Sequence, residues 1–413
     1  MKLHQFNHHS LQKKSGKDAK GSHYSYSSHV KKPQMSLTKG DRQMNIEVPA
    51  VFPVSYQALE QEAKKLMSKG AYGYVRSAAS NEETLRKNTT AFEKWSILPR
   101  MLRNVADIDM SVTLGEHTYP YPIFIAPVGM QKLTHEEGEL ATARAAKTIG
   151  VPFIQSTVSS YSIEEVKAAT VDSPKWFQLY WSRNEQVSFS MVERAERAGY
   201  EAIVVTVDTI MTGWRETDIA TQFSPLKEGY GKANYESDPA FMHALGEKTD
   251  HESMIQSVLD NIHYPEMNWS HIAALAKRTS LPIYIKGILH PEDVQCAIEA
   301  GASGLIVSNH GGRQLDGTVA ALDALPAVVK AANQKVPVVF DSGIRRGTDI
   351  VKALALGAAA VCIGRPFVYG LGIDGQVGVE KVLENLIEET RITMSLAGIA
   401  RVKDLNQLKL IRE

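Results

Sequence analysis

Cysteine is nearly absent. Cys296 and Cys362 are the only two in 413 residues, so no disulfide framework can carry the fold. They fall in helix-like and strand-like patterns and read as reduced packing residues of an intracellular, cytoplasmic protein. Net charge is absent too, 46 basic residues being set against 46 acidic ones, which argues against a nucleic-acid or anionic-membrane partner. No apolar run approaches the roughly 20 residues that a bilayer span requires. No glycine-rich dinucleotide fingerprint follows the first strand-like run, so an open doubly wound nucleotide fold has little support. The first 35 residues lack arginine and almost lack acids, holding five histidines, seven lysines and Asp18. That composition excludes the apolar stretch of a secretory signal. It reads as a disordered cationic tail or an added extension ahead of one domain over residues 36–413.

What is present is a repeated strand–helix rhythm. Apolar, β-branched runs stand at Ile123–Pro127, Phe153–Ser156, Trp176–Tyr180, Ala202–Asp208, Ile283–Lys286, Leu305–Ser308, Val338–Asp341 and Ala360–Gly364. Helical patterns separate them, among them His135–Ile149, Gln186–Ala198, Pro291–Ala300 and Thr348–Leu356, and several stop at a glycine (Gly150, Gly199, Gly301, Gly357). Continuous rather than alternating apolar strands imply burial on both faces, hence a parallel sheet sheathed by helices. Eight such units predict an α/β fold, a closed (β/α)8 TIM barrel. The rhythm breaks after the fourth strand, where about sixty residues separate Asp208 from the next helix near Trp269. A stretch that long reads as a lid or a disordered insertion, about 212–266, on the face where barrel enzymes work. Ahead of the barrel, Ser55–Lys69 reads as an amphipathic helix. It leads through the glycine-bearing Gly70–Arg76 into a second helical stretch, together an N-terminal helical cap.

Polar residues collect where the strands stop: Gln178 and Tyr180, Thr206 and Asp208, Lys286, Ser308 and His310, and Asp341. Converging polar ends need a ligand to satisfy them. The stretch Ser308-Asn309-His310-Gly311-Gly312-Arg313-Gln314-Leu315-Asp316-Gly317 is the densest. It joins a group that titrates near neutrality to a guanidinium suited to a carboxylate. After strands seven and eight, Asp341–Gly347 and Gly364-Arg365-Pro366 pair glycine turns with arginines, the usual phosphate cradle of such barrels. No metal-ligand spacing stands out.

With Ala126-Pro127-Val128-Gly129, Gln178-Leu179-Tyr180, Thr206-Val207-Asp208, Ser308–Gly317 and Asp341–Gly347 all present, the chain from about Phe52 onward resembles the FMN-dependent L-2-hydroxy acid oxidase/dehydrogenase family, lactate-oxidising members nearest. The resemblance implies His310 as the base and Asp208 as its partner. Lys286 would lie by the flavin N1/C2 carbonyl. Arg215 and Arg313 would clamp the substrate carboxylate, with Tyr74 and Tyr180 lining the pocket. Pro127, Val128, Gly129, Ser156, Gln178, Thr206 and Ser308 would surround FMN. Asp341, Ser342, Gly343, Ile344, Arg345, Gly364 and Arg365 would hold its phosphate. Oxidising a 2-hydroxy acid removes one proton and two electrons, so a base must face an electron sink, whether hydride leaves after O–H deprotonation or a proton leaves Cα. The family implies a homotetramer, with L-lactate the leading substrate. A lid without an amphipathic membrane-docking segment and the lack of a fused haem domain favour O2 over quinone or cytochrome as acceptor, giving pyruvate and hydrogen peroxide. Lactate monooxygenation, oxidation of larger acids such as mandelate, a flavin barrel isomerase and a non-catalytic flavin protein are the alternatives. Gly129, where alanine is usual in lactate and glycolate oxidases, reads as extra room beside the substrate.

Overall fold

In the computed structural model, residues 51–247 and 249–413 are described; the predicted tail over 1–35 and the start of the predicted domain lie outside them. Eight strands form the centre: β1 (Ile123–Ile125), β2 (Phe153–Ser156), β3 (Lys175–Leu179), β4 (Ile203–Thr206), β5 (Ile283–Ile288), β6 (Gly304–Val307), β7 (Val338–Phe340) and β8 (Ala360–Ile363). All pair in parallel with their sequence neighbours, and β8 closes on β1. This is the predicted (β/α)8 barrel. Its strands are buried on both faces apart from the half-buried Gly287 in β5. The predicted helices appear as Gly138–Ile149, Glu185–Arg197, Pro291–Glu299 and Gly347–Ala355.

Alternate strand residues fill the barrel. Phe124, Ile154, Trp176, Val204, Tyr284, Ile306, Val339 and Cys362 point inward, and the opposite set packs against the helices. At the amino-terminal end the filling is aromatic, with Trp176 lying 4.9 Å from Phe124 and 4.4 Å from Tyr284 between ring centres. Gly304 is required here, since a Cβ would sit 2.1 Å from the Tyr284 ring. Tyr119, from the hairpin Val112–Leu114/His117–Tyr119, covers this end, accepting from Trp176 Nε1 at 3.2 Å and donating to Glu201 at 2.7 Å. With that end plugged, the opposite mouth is left for a ligand.

Three helices cap the amino-terminal side of the chain: Tyr56–Leu66, Lys69–Arg76 and Glu83–Thr90. The second covers the run read from sequence as a glycine-bearing connection. Gly70 and Gly73 lower helix propensity, but Gly70 is demanded by packing, because a Cβ would lie 2.7 Å from the Phe223 ring. The insertion after β4 is not disordered. It folds into helices Glu216–Thr221, Ala233–Glu236, Pro239–Leu245 and His251–Ile262. Buried Arg194 anchors it, bonding Asp238 at 3.1 Å, Glu164 at 2.8 Å and the Asn234 carbonyl at 2.8 Å. Cys362 packs in the barrel as read, whereas Cys296 is exposed on its helix; neither is bonded.

The first turn of Glu83–Thr90 is capped from afar. Asp316, beyond β6, accepts from the Glu83 and Thr84 amides at 3.2 and 2.8 Å. Replacing a capping carboxylate removes about 0.5–2 kcal/mol. Asp316→Ala should therefore lower the unfolding free energy by about that amount, read as a lower urea midpoint at unchanged m, and an unchanged midpoint would show that the cap contributes nothing.

Candidate active site

His310 follows β6 with φ +57°, a left-handed conformation that is rare outside glycine. Ser308 Oγ accepts its backbone amide at 3.0 Å. The turn aims Nδ1 at Asp208 Oδ1, 2.8 Å away beyond β4, with Thr209 Oγ1 3.3 Å from the same nitrogen. Burial, then the charges of Lys286 and Arg215, hold the imidazole below its ordinary value despite Asp208. His310 is thus neutral at neutral pH and free to take a proton. Burial alone would push Asp208 up, but His310 and Lys286 outweigh it and hold the carboxyl at about 2.

Register brings Lys286 to the same mouth, paired with Thr206 on β4 and Ile306 on β6. Its ammonium lies 2.9 Å from Ser308 Oγ and 3.3 Å from Asp341 Oδ2. Burial opposes that charge, yet Asp341 and Asp208 raise the group above its ordinary value, so Lys286 remains protonated.

Arg313 stacks over Tyr74, 4.6 Å from the ring centre, and donates through Nη1 to the Tyr74 and Ser77 carbonyls at 2.6 and 2.7 Å. Its Nη2 is buried with no partner. Burial, then neighbouring Arg215, pushes the guanidinium down to about 10, so it stays charged and lacks an anion. Arg215 is steered by Gln314, whose Oε1 accepts its Nη2 at 2.9 Å and whose Nε2 donates to the Asp208 carbonyl at 3.0 Å. Tyr180 sits in the wall, pushed up to about 12 by burial and the Asp208 charge, so its hydroxyl keeps its proton.

These groups open on one cavity of about 710 Å³. Tyr74, Pro127, Val128, Gly129, Tyr180, Arg215, Lys286, His310, Arg313, Asp341, Ser342, Gly343, Ile344, Arg345, Gly364 and Arg365, all read from sequence, line it. Five predicted residues stand behind that lining. Ser156 donates to Gln178 Oε1 at 3.0 Å, Ser308 holds Lys286, Asp208 holds His310, and Thr206 pairs with Lys286 in register. Gln178 Nε2 is buried without a partner. Sequence reasoning gave no role to Thr209, Gln314 or Glu139. Gln314 was signalled by its place beside Arg313. Glu139 carried no signal, yet its buried carboxylate accepts from the Gln131 and Ser160 amides at 3.0 and 3.1 Å and joins the loops after β1 and β2. Burial pushes it up to about 7.

At the far end, Gly364 begins the helix Arg365–Ala397 with no side-chain cap, and a Cβ there would meet nothing within 4 Å. A bare helix amino terminus facing open space beside arginine is an anion site. Arg345 Nε is buried and unpartnered. Arg365 spends three of its five N–H donors on the Val75, Gly311 and Ser77 carbonyls at 2.9, 3.0 and 2.9 Å, and one remains on each terminal nitrogen for the phosphate role read from sequence. In this arrangement it ties the cap helices to the mouth.

A barrel mouth with a neutral base, an unmatched guanidinium and an anion cradle defines an enzyme that handles a small carboxylate beside a phosphorylated cofactor. Residues 63–412 match the model of the FMN-dependent dehydrogenases, and the chain belongs to that family. It is 52% identical over 378 residues to an L-lactate oxidase of Lysinibacillus sphaericus (strain C3-41), covering 91% of this chain and 98% of that one. It is 42% identical over 348 residues to 2-hydroxyacid oxidase 1 of Mus musculus, covering 84% and 94%. The crystal structure of mandelate oxidase with (S)-4-hydroxymandelic acid matches with a TM-score of 0.80 at 39% identity, covering 87% of this chain and 99% of that one. The cofactor is FMN and the chemistry is oxidation of a 2-hydroxy acid. The residues fit it, since the unpartnered donors of Gln178 and Arg345 and the bare amino terminus at Gly364 are what a flavin ring and its phosphate would satisfy.

The spare room read at Gly129 is not present. A Cβ there would lie 2.5 Å from the Val158 carbonyl and 2.6 Å from its Cγ2. That carbonyl is fixed by the Met130 amide at 2.8 Å. Glycine lets the loop after β1 close on the loop after β2. Gly129→Ala should cost about 1–3 kcal/mol by overpacking, seen as a lower urea midpoint; an unchanged midpoint would restore the spare-room reading.

Proposed function

We propose that this enzyme oxidises L-lactate to pyruvate and passes the two electrons to O2, giving hydrogen peroxide. The observation that carries the substrate class is the unpartnered Nη2 of Arg313 beside Arg215, a clamp awaiting one carboxylate. Lactate is supported by the 52% identity to an L-lactate oxidase over nearly the whole of both chains.

In this reading Arg313 and Arg215 hold the substrate carboxylate, and Tyr74 and Tyr180 receive its polar atoms. Fixing the carboxylate at two guanidiniums sets which face of Cα turns to the cofactor. His310 takes the proton at its free nitrogen, while the Asp208 hydrogen bond orients the ring and stabilises the imidazolium. Bound FMN supplies the two-electron acceptor. Lys286 places a fixed positive charge where negative charge develops, next to the flavin ring edge. Gln178, Ser156, Thr206 and the loop 127–129 surround that ring, and 341–345 with Gly364 and Arg365 hold the phosphate, Arg345 through its unpartnered Nε. The enzyme domain is residues 36–413, with the helical insertion over about 212–266 as its lid. We place the protein in the cytoplasm as a homotetramer. Two unbonded cysteines agree with a reducing compartment, and exposed Met211, Trp214 and Leu315 are apolar surface that self-association would cover.

The likeness to mandelate oxidase supports a second reading, a preference for larger acids. Mixing the yellow protein with L-lactate without oxygen should bleach the flavin, and readmitted air should restore the colour and release peroxide and pyruvate. Bleaching only by L-mandelate selects the second reading, acetate and CO2 in place of peroxide select monooxygenation, and no bleaching by any short L-2-hydroxy acid overturns both.

His310→Ala should retain flavin but lose on the order of 10²–10⁴-fold in the rate of flavin reduction. Because a base must be unprotonated and His310 titrates below its ordinary 6.5, kcat/KM should be level through neutrality and fall as pH drops below that value. A rise toward acid pH would remove His310 as the base.

A further inference from the structure

Asp218 is an acidic side chain of the cavity wall that the chemistry above leaves unused. The cavity is lined by two acids, Asp218 and Asp341, and Asp341 is taken by Lys286 at 3.3 Å. Asp218 projects from the short helix Glu216–Thr221 of the insertion, and its Oδ1 is buried with no hydrogen-bond partner. The charges that act on it are those of Arg313 and Arg215; burial outweighs them and leaves its carboxyl above the ordinary value.

The charges at this end of the cavity are therefore nearly matched. Two guanidiniums face one carboxylate from the lid, leaving room for a single further anion. On the other side, Lys286 is already faced by Asp341 and Asp208, and His310 is neutral. His263, which also lines the cavity, is held below its ordinary value by burial and by Arg215, and bonds Thr212 at 2.8 Å. Lys227 lines the cavity as well but is exposed, so solvent screens it. A substrate with one carboxylate places that charge on the two guanidiniums of the clamp. A second carboxylate would bring another negative charge into a poorly solvated space beside Asp218.

We propose that Asp218 is a specificity-determining residue: its carboxylate rejects 2-hydroxy acids whose side chain carries a second negative charge and admits those with neutral side chains. The inference rests on reading Arg215 and Arg313 as the substrate clamp. Like charges several ångströms apart in a site of intermediate dielectric discriminate by roughly tenfold to a hundredfold.

The test compares L-malate with L-2-hydroxyisocaproate, a neutral acid of nearly the same shape. Each is used as a substrate or as a competitive inhibitor of the FMN-loaded enzyme, in the parent and in Asp218→Asn and Asp218→Glu. In Asp218→Asn, preference for malate relative to the neutral acid should rise by about tenfold or more. Asp218→Glu, which keeps the charge, should hold the parental ratio. A ratio unmoved in Asp218→Asn, or moved equally in Asp218→Glu, overturns the proposal while leaving the oxidase reading intact. A parent that no neutral 2-hydroxy acid reduces refutes that reading, and the proposal with it.

Discussion

Closing eight parallel strands into a ring leaves no edge strand, and it sends every carboxyl-terminal strand end to one face. The remainder of the molecule follows from that constraint. The amino-terminal end is filled by Trp176, Tyr284 and Phe124 and covered by Tyr119. The other end cannot be filled in the same way, because its residues are the polar ones that follow each strand. Asp208, Lys286, Ser308, His310 and Asp341 come from four different strand ends, yet they form one hydrogen-bonded chain of contacts. No local segment could assemble them.

The electrostatics of that mouth depend on burial acting against pairing. Lys286 stays charged because two carboxylates face it, and Asp208 stays charged because the Lys286 ammonium and the hydrogen bonds from His310 and Thr209 outweigh its burial. Burial, helped by the charges of Lys286 and Arg215, holds His310 below its ordinary value against the pull of Asp208. Each group's state is set by the others. The site thus holds a base ready at neutral pH without needing an unusual residue.

Most of the barrel was legible because a strand buried on both faces needs an unbroken apolar run, and eight such runs appear in order. The cap helix Lys69–Arg76 was not, since Gly70 and Gly73 argue locally against a helix and only the Phe223 ring explains one of them. Three helices of the insertion were hidden because they have four to seven residues, and Ala233–Glu236 and Pro239–Leu245 are held by Arg194 from across the chain. His251–Ile262, with Met254, Ile255, Val258 and Ile262 on one buried face, was legible and was missed. At the site, residue types and the resemblance identified sixteen residues of the cavity wall but not Asp218, Thr209 or His263, which also line it. What they could not show is which donors are committed. Arg345 and Arg365 look equivalent as arginines beside glycine turns, yet Arg345 makes one carbonyl bond, to Ile344, and keeps Nε unpartnered, whereas Arg365 makes three. Gly129 likewise reads as space until the Val158 carbonyl is in view.

The carboxylate that caps Glu83–Thr90 lies 232 positions further along the chain from Thr84. A newly made chain therefore reaches this helix long before it reaches the side chain that completes it. A helix of eight residues is marginal alone in water, so its stability depends on the loop behind β6. Arg365 adds a still later dependence by gripping the Val75 and Ser77 carbonyls. The cap wall that carries Tyr74 is thus tied down by side chains from the far half of the sequence, Asp316 and Arg365, and not by its own neighbours.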